Sequence, residues 1–176
     1  CKTVSNFRRE LNMREGWYKR SFSATLNNGR EIQVETLRFL SLDMDELGAI
    51  SYSVTPVDAD AEITFVPYLD SGITNEDSNW DDKFWNTTNV SAVNHRAFIE
   101  AHTMKTNFET CTYMQAFMEY EGKSVAASAA SETETSVAFS FTQKVKAKET
   151  LTLTKFGGYT VSRNHKASEL VAAANI

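Results

Sequence analysis

Residues 17–26 alternate in character. Tyr18, Phe22, Ala24 and Leu26 fall on one side; Lys19, Ser21, Ser23 and Thr25 fall on the other. A period of two marks a strand with one buried face. Asn27-Asn28-Gly29 follows, and Asn-Gly tolerates the positive φ of a tight hairpin turn. The return strand, 30–41, carries Ile32 and Val34 on one face and Leu37 and Phe39 on the other, a change of phase that predicts a bulge or bend near Thr36. Alternation resumes over 48–57 (Ile50, Tyr52, Val54, closing at Pro56), from Ile63 and Phe65 to Pro67, over 95–105, over 110–120, through Val137, Phe139 and Phe141, and over 149–161. Lys146 to Leu151 reads as the tight turn before this last strand. About nine strands with short connections and no βαβ rhythm predict an all-β protein, an antiparallel β-sandwich.

Three segments break this rhythm. Residues 70–94 are polar, acidic and punctuated by aromatics, and they read as one long loop. Residues 122–136 are small and polar and read as a mobile or edge connection. From Asn164 the composition turns helical: Asn164 is placed to cap a helix whose stripe is Leu170, Val171 and Ala174. The pattern runs to Ile176 without a terminating cap, and the chain starts at Cys1 without a methionine. Both ends therefore read as cuts, with residues 1–161 as the sandwich and residues 162–176 as the start of a helical linker.

Composition narrows the class. With 41% hydrophobic and 23% charged residues, seven glycines and two prolines, the 176-residue chain is ordinary for one globular domain. The net charge of −5 and the scattering of basic residues argue against nucleic-acid binding. No stretch approaches the length of a membrane span, and the first residues lack the apolar core of a signal peptide. Cys1 and Cys111 read as free thiols of a cytoplasmic protein. The sequons at Asn86 and Asn89 read as loop polarity.

Candidate chemistry is sparse. His95 and His102 are seven residues apart, which in one extended strand means opposite faces and about 23 Å, so they cannot share a metal. Cys111 has no CxxC partner, no GxSxG elbow is present, and Gly157-Gly158 sits within a strand. The acid-rich loop holds the best site: Asn75, Glu76, Asp77, Asp81 and Asp82 interleave with Trp80, Phe84 and Trp85. Aromatic faces stack on sugar rings, and carboxylates accept hydrogen bonds from sugar hydroxyls. Three readings of this loop stay open: a solvated acidic loop anchored by its aromatics, a contact surface for another domain, or a sugar-contacting rim.

Five segments in series carry a resemblance. Leu11-Asn12-Met13-Arg14-Glu15-Gly16 leads to Arg20-Ser21-Phe22, then Val34-Glu35-Thr36-Leu37-Arg38-Phe39-Leu40-Ser41, then Ala49-Ile50-Ser51-Tyr52-Ser53-Val54-Thr55-Pro56. Asn75-Glu76-Asp77 with Lys83-Phe84-Trp85 follows, and Leu153 to His165 closes the series. In this order and spacing they resemble the N-terminal domain of glycoside hydrolase family 65, the disaccharide phosphorylases.

The resemblance implies a supersandwich-type fold whose first strands precede the LNM turn. It implies a parent enzyme cleaving α-linked glucose disaccharides such as maltose, kojibiose or trehalose. In that parent a glutamic acid protonates the glycosidic oxygen and inorganic phosphate attacks with inversion, a geometry related to inverting hydrolysis; some members use water instead. Those groups belong to an (α/α)6 barrel outside this chain, so residues 1–176 are expected to be non-catalytic, with no organic cofactor and no metal. The expected roles are buttressing the barrel, supporting a homodimer, and placing the loop near the pocket rim. A stand-alone carbohydrate-binding module and a protein-interaction sandwich are the alternatives from other functional classes.

Overall fold

A computed structural model describes residues 1–74 and 83–174. Its elements are β1 (Thr3–Asn12), β2 (Trp17–Thr25), β3 (Glu31–Leu40), β4 (Leu47–Pro56), β5 (Ala61–Phe65), β6 (Tyr68–Asp70), β7 (Trp85–Val93), β8 (Arg96–Thr103), β9 (Glu109–Tyr120), β10 (Lys123–Val125), β11 (Ala129–Glu132), β12 (Ser136–Val145), β13 (Leu151–Val161) and a short helix α1 (Leu170–Ala173) behind one 3₁₀ turn. Nine strands form one antiparallel sheet in the order β1-β2-β3-β4-β13-β9-β8-β7, with β10 hydrogen-bonded to β9. A smaller sheet is built around β12, which pairs with β11, β5 and β6. The two sheets make the antiparallel sandwich that the alternation predicts.

Turn chemistry sets the hairpins. Between β1 and β2, the Asn12 side-chain oxygen accepts hydrogen bonds from the backbone N–H groups of Arg14 (3.1 Å) and Glu15 (3.0 Å). Gly16 closes the turn at φ +74°, donating its N–H to the Asn12 carbonyl at 2.8 Å. Asparagine and glycine are therefore required here for stated reasons: a side-chain acceptor and a left-handed residue. The β2–β3 turn uses Gly29 at φ +83° in the same way.

The core lies between the small sheet and the β13-β9-β8-β7 half of the large one. Met114, Met118, Leu151, Val137, Val145 and Phe141 are its largest fully enclosed apolar side chains. Strand alternation delivers them: Leu151 and Leu153 in β13 and Met114, Ala116 and Met118 in β9 share one face.

Four expectations are corrected. The strand β1 was absent from the pattern because a bulge between Ser5 and Arg8, with Asn6 at φ 54°, shifts its phase mid-strand. Residues 85–93 are strand β7 rather than loop. A second bulge between Thr87 and Asn89 masks its alternation, and it is the edge of the sheet. No bulge occurs at Thr36, whose strand keeps unbroken register with both neighbours; Leu37 and Phe39 are simply apolar residues on the outward face. Asn164 does not cap the helix. The helical turn starts after Lys166 with no side-chain cap, and Asn164 is engaged elsewhere. The stretch 122–136 contains the short strands β10 and β11.

Candidate functional site

Of the predicted loop residues, Asn75, Glu76, Asp77 and Trp80, with Asp81 and Asp82, lie outside the described residues. Phe84 and Trp85 are described. Trp85 opens β7 opposite Thr103, and its half-buried ring meets Phe108 edge-on with centroids 6.4 Å apart. The Phe84 carbonyl accepts the Met104 N–H at 2.9 Å, while its ring stays 39% exposed. Both aromatics are thus tied to the β8–β9 turn. At the other end of the segment, Gly72 N–H donates to the Asp70 carboxylate at 2.7 Å, and the Ser71 and Thr87 hydroxyls lie 2.6 Å apart. The termini of the acidic segment are anchored on adjoining strands.

A second assembly escaped the sequence reading. On the large sheet's face opposite the core, Leu170 and Ala174 of the helical segment bury against Phe98, Cys111 and Tyr113, with Val171 at the margin. The buried Thr160 hydroxyl donates to the Leu170 carbonyl at 2.8 Å. The approach to this seat is held by Glu46, from the β3–β4 turn. Both its carboxylate oxygens lie 2.9 Å from His165 Nε2, and the Asn164 amide donates to it at 3.3 Å. The Tyr113 hydroxyl donates to the Glu46 backbone carbonyl at 2.8 Å. Beneath sits Gly158, where a Cβ would fall 1.6 Å from that carbonyl oxygen. One residue therefore joins the β3–β4 turn, β9, β13 and the segment entering the helix. The legible signal was Gly157-Gly158 inside a strand, since glycine there often marks close approach of another backbone.

The chemistry of this seat is structural. Burial first, then the nearby Glu100 charge, pushes the Cys111 thiol up to about 12. The Tyr113 hydroxyl is also raised, by burial and then by the Glu46 and Cys111 charges. Both groups hold their protons, and a thiol is nucleophilic only as thiolate. Between the ordinary thiol value of 9.0 and about 12, the unfolded thiol ionises while the folded one does not. Stability from this site is therefore complete below that window and declines as pH rises through it. With iodoacetamide at mildly alkaline pH, the exposed Cys1 is expected to alkylate promptly and the buried Cys111 only after denaturant is added. Equal rates at both, read by peptide mass mapping, would show that the helix seat opens freely. Among the described residues, no group of three or more His, Cys, Asp or Glu side chains is placed to hold a metal.

Further along the same face lies a polar groove of about 470 Å³, lined by Ser21, Ser23, Gln33, Glu35, Ser53 and Thr55 among others. Its hydroxyls are partly satisfied across the strands: Ser53 with Thr152 at 2.9 Å and Thr55 with Thr150 at 2.8 Å.

Residues 1–176 match the family profile described as glycosyl hydrolase family 65, N-terminal domain. A maltose phosphorylase of Bacillus subtilis (strain 168) is 38% identical over 107 residues, which is 61% of this chain and 14% of that protein. An alpha,alpha-trehalose phosphorylase of Thermoanaerobacter brockii is 26% identical over 96% of this chain and 22% of its own length. A solved structure, a putative kojibiose phosphorylase from human microbiome, superposes with a TM-score of 0.83 at 21% identity. That superposition covers 98% of this chain and 22% of the other. The matched parts of the chain cover 14% and 22% of the length of these curated relatives. No helix among the described residues is long and apolar enough to cross a membrane.

Proposed function

Because this chain belongs to the glycosyl hydrolase family 65 N-terminal domain family, we propose that it is the non-catalytic β-sandwich of a longer disaccharide phosphorylase. The supporting observation is the family match over residues 1–176, set against relatives named as phosphorylases that are several times longer. On this reading, residues 162–176 begin the path to a catalytic domain outside this chain, and the Glu46 junction sets the direction in which they leave the sheet. The described residues contribute anchoring rather than bond breaking, in keeping with a thiol and a phenol held protonated by burial. The reaction itself is read as inverting phosphorolysis of an α-glucosidic disaccharide. An acid on the parent protonates the leaving oxygen, and phosphate attacks the anomeric carbon from the opposite face, giving β-glucose 1-phosphate.

The test uses the full-length protein incubated with maltose, kojibiose or trehalose, with and without inorganic phosphate. Phosphate-dependent release of β-glucose 1-phosphate from one of the three is the expected result. Release of free glucose alone, independent of phosphate, would make the parent a hydrolase, since a shared fold does not dictate the reaction. No turnover of any α-glucoside would remove the proposal.

A further inference from the structure

The groove of about 470 Å³ on the outward face of the large sheet is built on two register rows. Ser23, Gln33 and Thr55 stand opposite one another in the first row, and Ser21, Glu35 and Ser53 in the second. Between these rows lie Val34 and Val54, which are in register with Leu151 of the core. Successive residues of a strand point to opposite faces, so the two rows share the outward side. Ser21, Ser23, Ser53 and Thr55 are half-buried; they are short side chains set among the longer Lys19, Gln33, Glu35 and Leu37, and the surface dips over them. Asn6, in the bulge of β1, adds an amide to the lining. The floor is backbone already paired in the sheet, so the groove is formed before any ligand arrives.

Its chemistry is neutral and polar. The Ser53 and Thr55 hydroxyls are engaged with Thr152 and Thr150. Among the described residues, the side chains of Asn6, Ser21, Ser23 and Gln33 have no hydrogen-bond partner in the protein. They offer two amides and two hydroxyls, groups that both donate and accept. The lining holds no lysine or arginine, and its one carboxylate, Glu35, is met by Lys19 Nζ at 2.8 Å. Such a groove does not suit a phosphate or a carboxylate, which need cations. It suits a neutral ligand rich in hydroxyls, because each hydroxyl also both donates and accepts. The adjoining row is apolar in part. It runs through Leu37, Ser51, Thr154 and Phe117, and Leu37 and Phe117 are exposed. They stand three strand spacings apart, about 14 Å. Sugar rings have polar edges and apolar C–H faces, and this surface sets a polar groove beside an aliphatic and an aromatic side chain.

We infer that the groove binds a neutral oligosaccharide, with its hydroxyls on Asn6, Ser21, Ser23 and Gln33 and its ring faces toward the Leu37 row. The recognition chemistry stands on the groove alone. Only the inclusion of an α-glucan among the probes below rests on the phosphorylase reading.

The experiment is isothermal titration of the full-length protein with maltopentaose and, separately, with cellopentaose. Saturable binding of at least one pentaose is expected. Because the parent, on the phosphorylase reading, has a sugar pocket of its own, variants of the groove decide the assignment. Asn6→Gly keeps the positive φ and removes one amide, Gln33→Ala removes the other, and Ser53→Val puts a methyl group where the groove has a hydroxyl. Each lost hydrogen bond is expected to weaken binding about two- to tenfold, so the double variant Asn6→Gly, Gln33→Ala should lose most of the affinity. The urea midpoint should stay unchanged in all of these variants, since none of them touches the core. Binding of a pentaose that is equally tight in the wild type and in every variant would place the sugar elsewhere and overturn the proposal. So would the absence of saturable heat with both pentaoses. The two readings fail separately: phosphate-dependent turnover of a disaccharide without groove binding removes the groove proposal alone, and groove binding without turnover removes the phosphorylase reading alone.

Discussion

Gly158→Ala is expected to unseat the C-terminal helix and to destabilise the protein by about 3 kcal/mol or more, the upper range for overpacking a rigid site. The added Cβ would lie 1.6 Å from the Glu46 carbonyl oxygen and 2.7 Å from its carbonyl carbon. Both are backbone atoms, so no rotamer change relieves the clash. Nor can β13 step aside easily, because Gly158 is in register with Leu47 on β4 and with Tyr113 on β9. The turn must retreat instead. Retreat breaks the Tyr113 hydrogen bond to Glu46 and withdraws the carboxylate from His165. Two measurements check this on the full-length protein: the denaturant midpoint should fall, and Cys111 beneath the helix should become alkylatable without denaturant. Gly122→Ala is the control. That residue also has a positive φ, +72°, but nothing lies within 4 Å of its Cβ position. Its cost should stay near the 1–2 kcal/mol of a left-handed non-glycine residue, on the order of backbone strain alone. Equal effects at the two glycines would mean that the Glu46 contact carries no special weight.

Phe141→Ala is expected to cost about 3–5 kcal/mol, the range for removing a buried aromatic ring and leaving a cavity. Phe141 is 2% exposed and sits in β12, the strand around which the whole small sheet is organised. It belongs to the same buried cluster as Met118 and Leu151 of the large sheet. The substitution therefore weakens the contact between layers rather than one hairpin. Urea unfolding should show a lower midpoint with an unchanged slope if the denatured state is unaffected. Leu42, 98% exposed in the β3–β4 turn, is the matched control, and its replacement by alanine should fall within about 0.5 kcal/mol of zero. A small loss at Phe141 would mean that the two sheets are not held together by this cluster.

Not all strands were equally legible. In β2, β4, β12 and β13 the alternation is intact and the interior side chains could be named from it. In β1 and β7 a bulge shifts the phase, so the polar and apolar positions no longer sort by parity over the whole strand. Both are also the outer strands of the large sheet, where one flank meets solvent and selection for apolar residues is weak. The candidate site divides in the same way. Trp85 was found because an aromatic in a polar segment is conspicuous, and its contact with Phe108 makes it an anchor. Glu46 looked like one acid among several in a turn, and Asn164 looked like a helix cap. Nothing near either residue in sequence distinguishes a carboxylate that bridges two distant segments from one that meets only water.

What the chain determines by itself is local: the period of two, the asparagine acceptor and left-handed glycine of the β1–β2 turn, the Asn-Gly hairpin, and the ordered series of motifs that places it in its family. Each turn and each motif depends on residues no more than a few positions apart, and the series adds only their order along the chain. The tertiary structure alone decides which strands become neighbours and what meets across the sheet. Ser53 meets Thr152 from 99 residues away, and His165 meets Glu46 from 119. It also decides that the small sheet packs over β7, β8 and β9, while Arg9 and Arg38 at the far end of the same face stay exposed. These outcomes follow from pairing and packing, whose energies arise between segments far apart in sequence and so leave little trace within either segment.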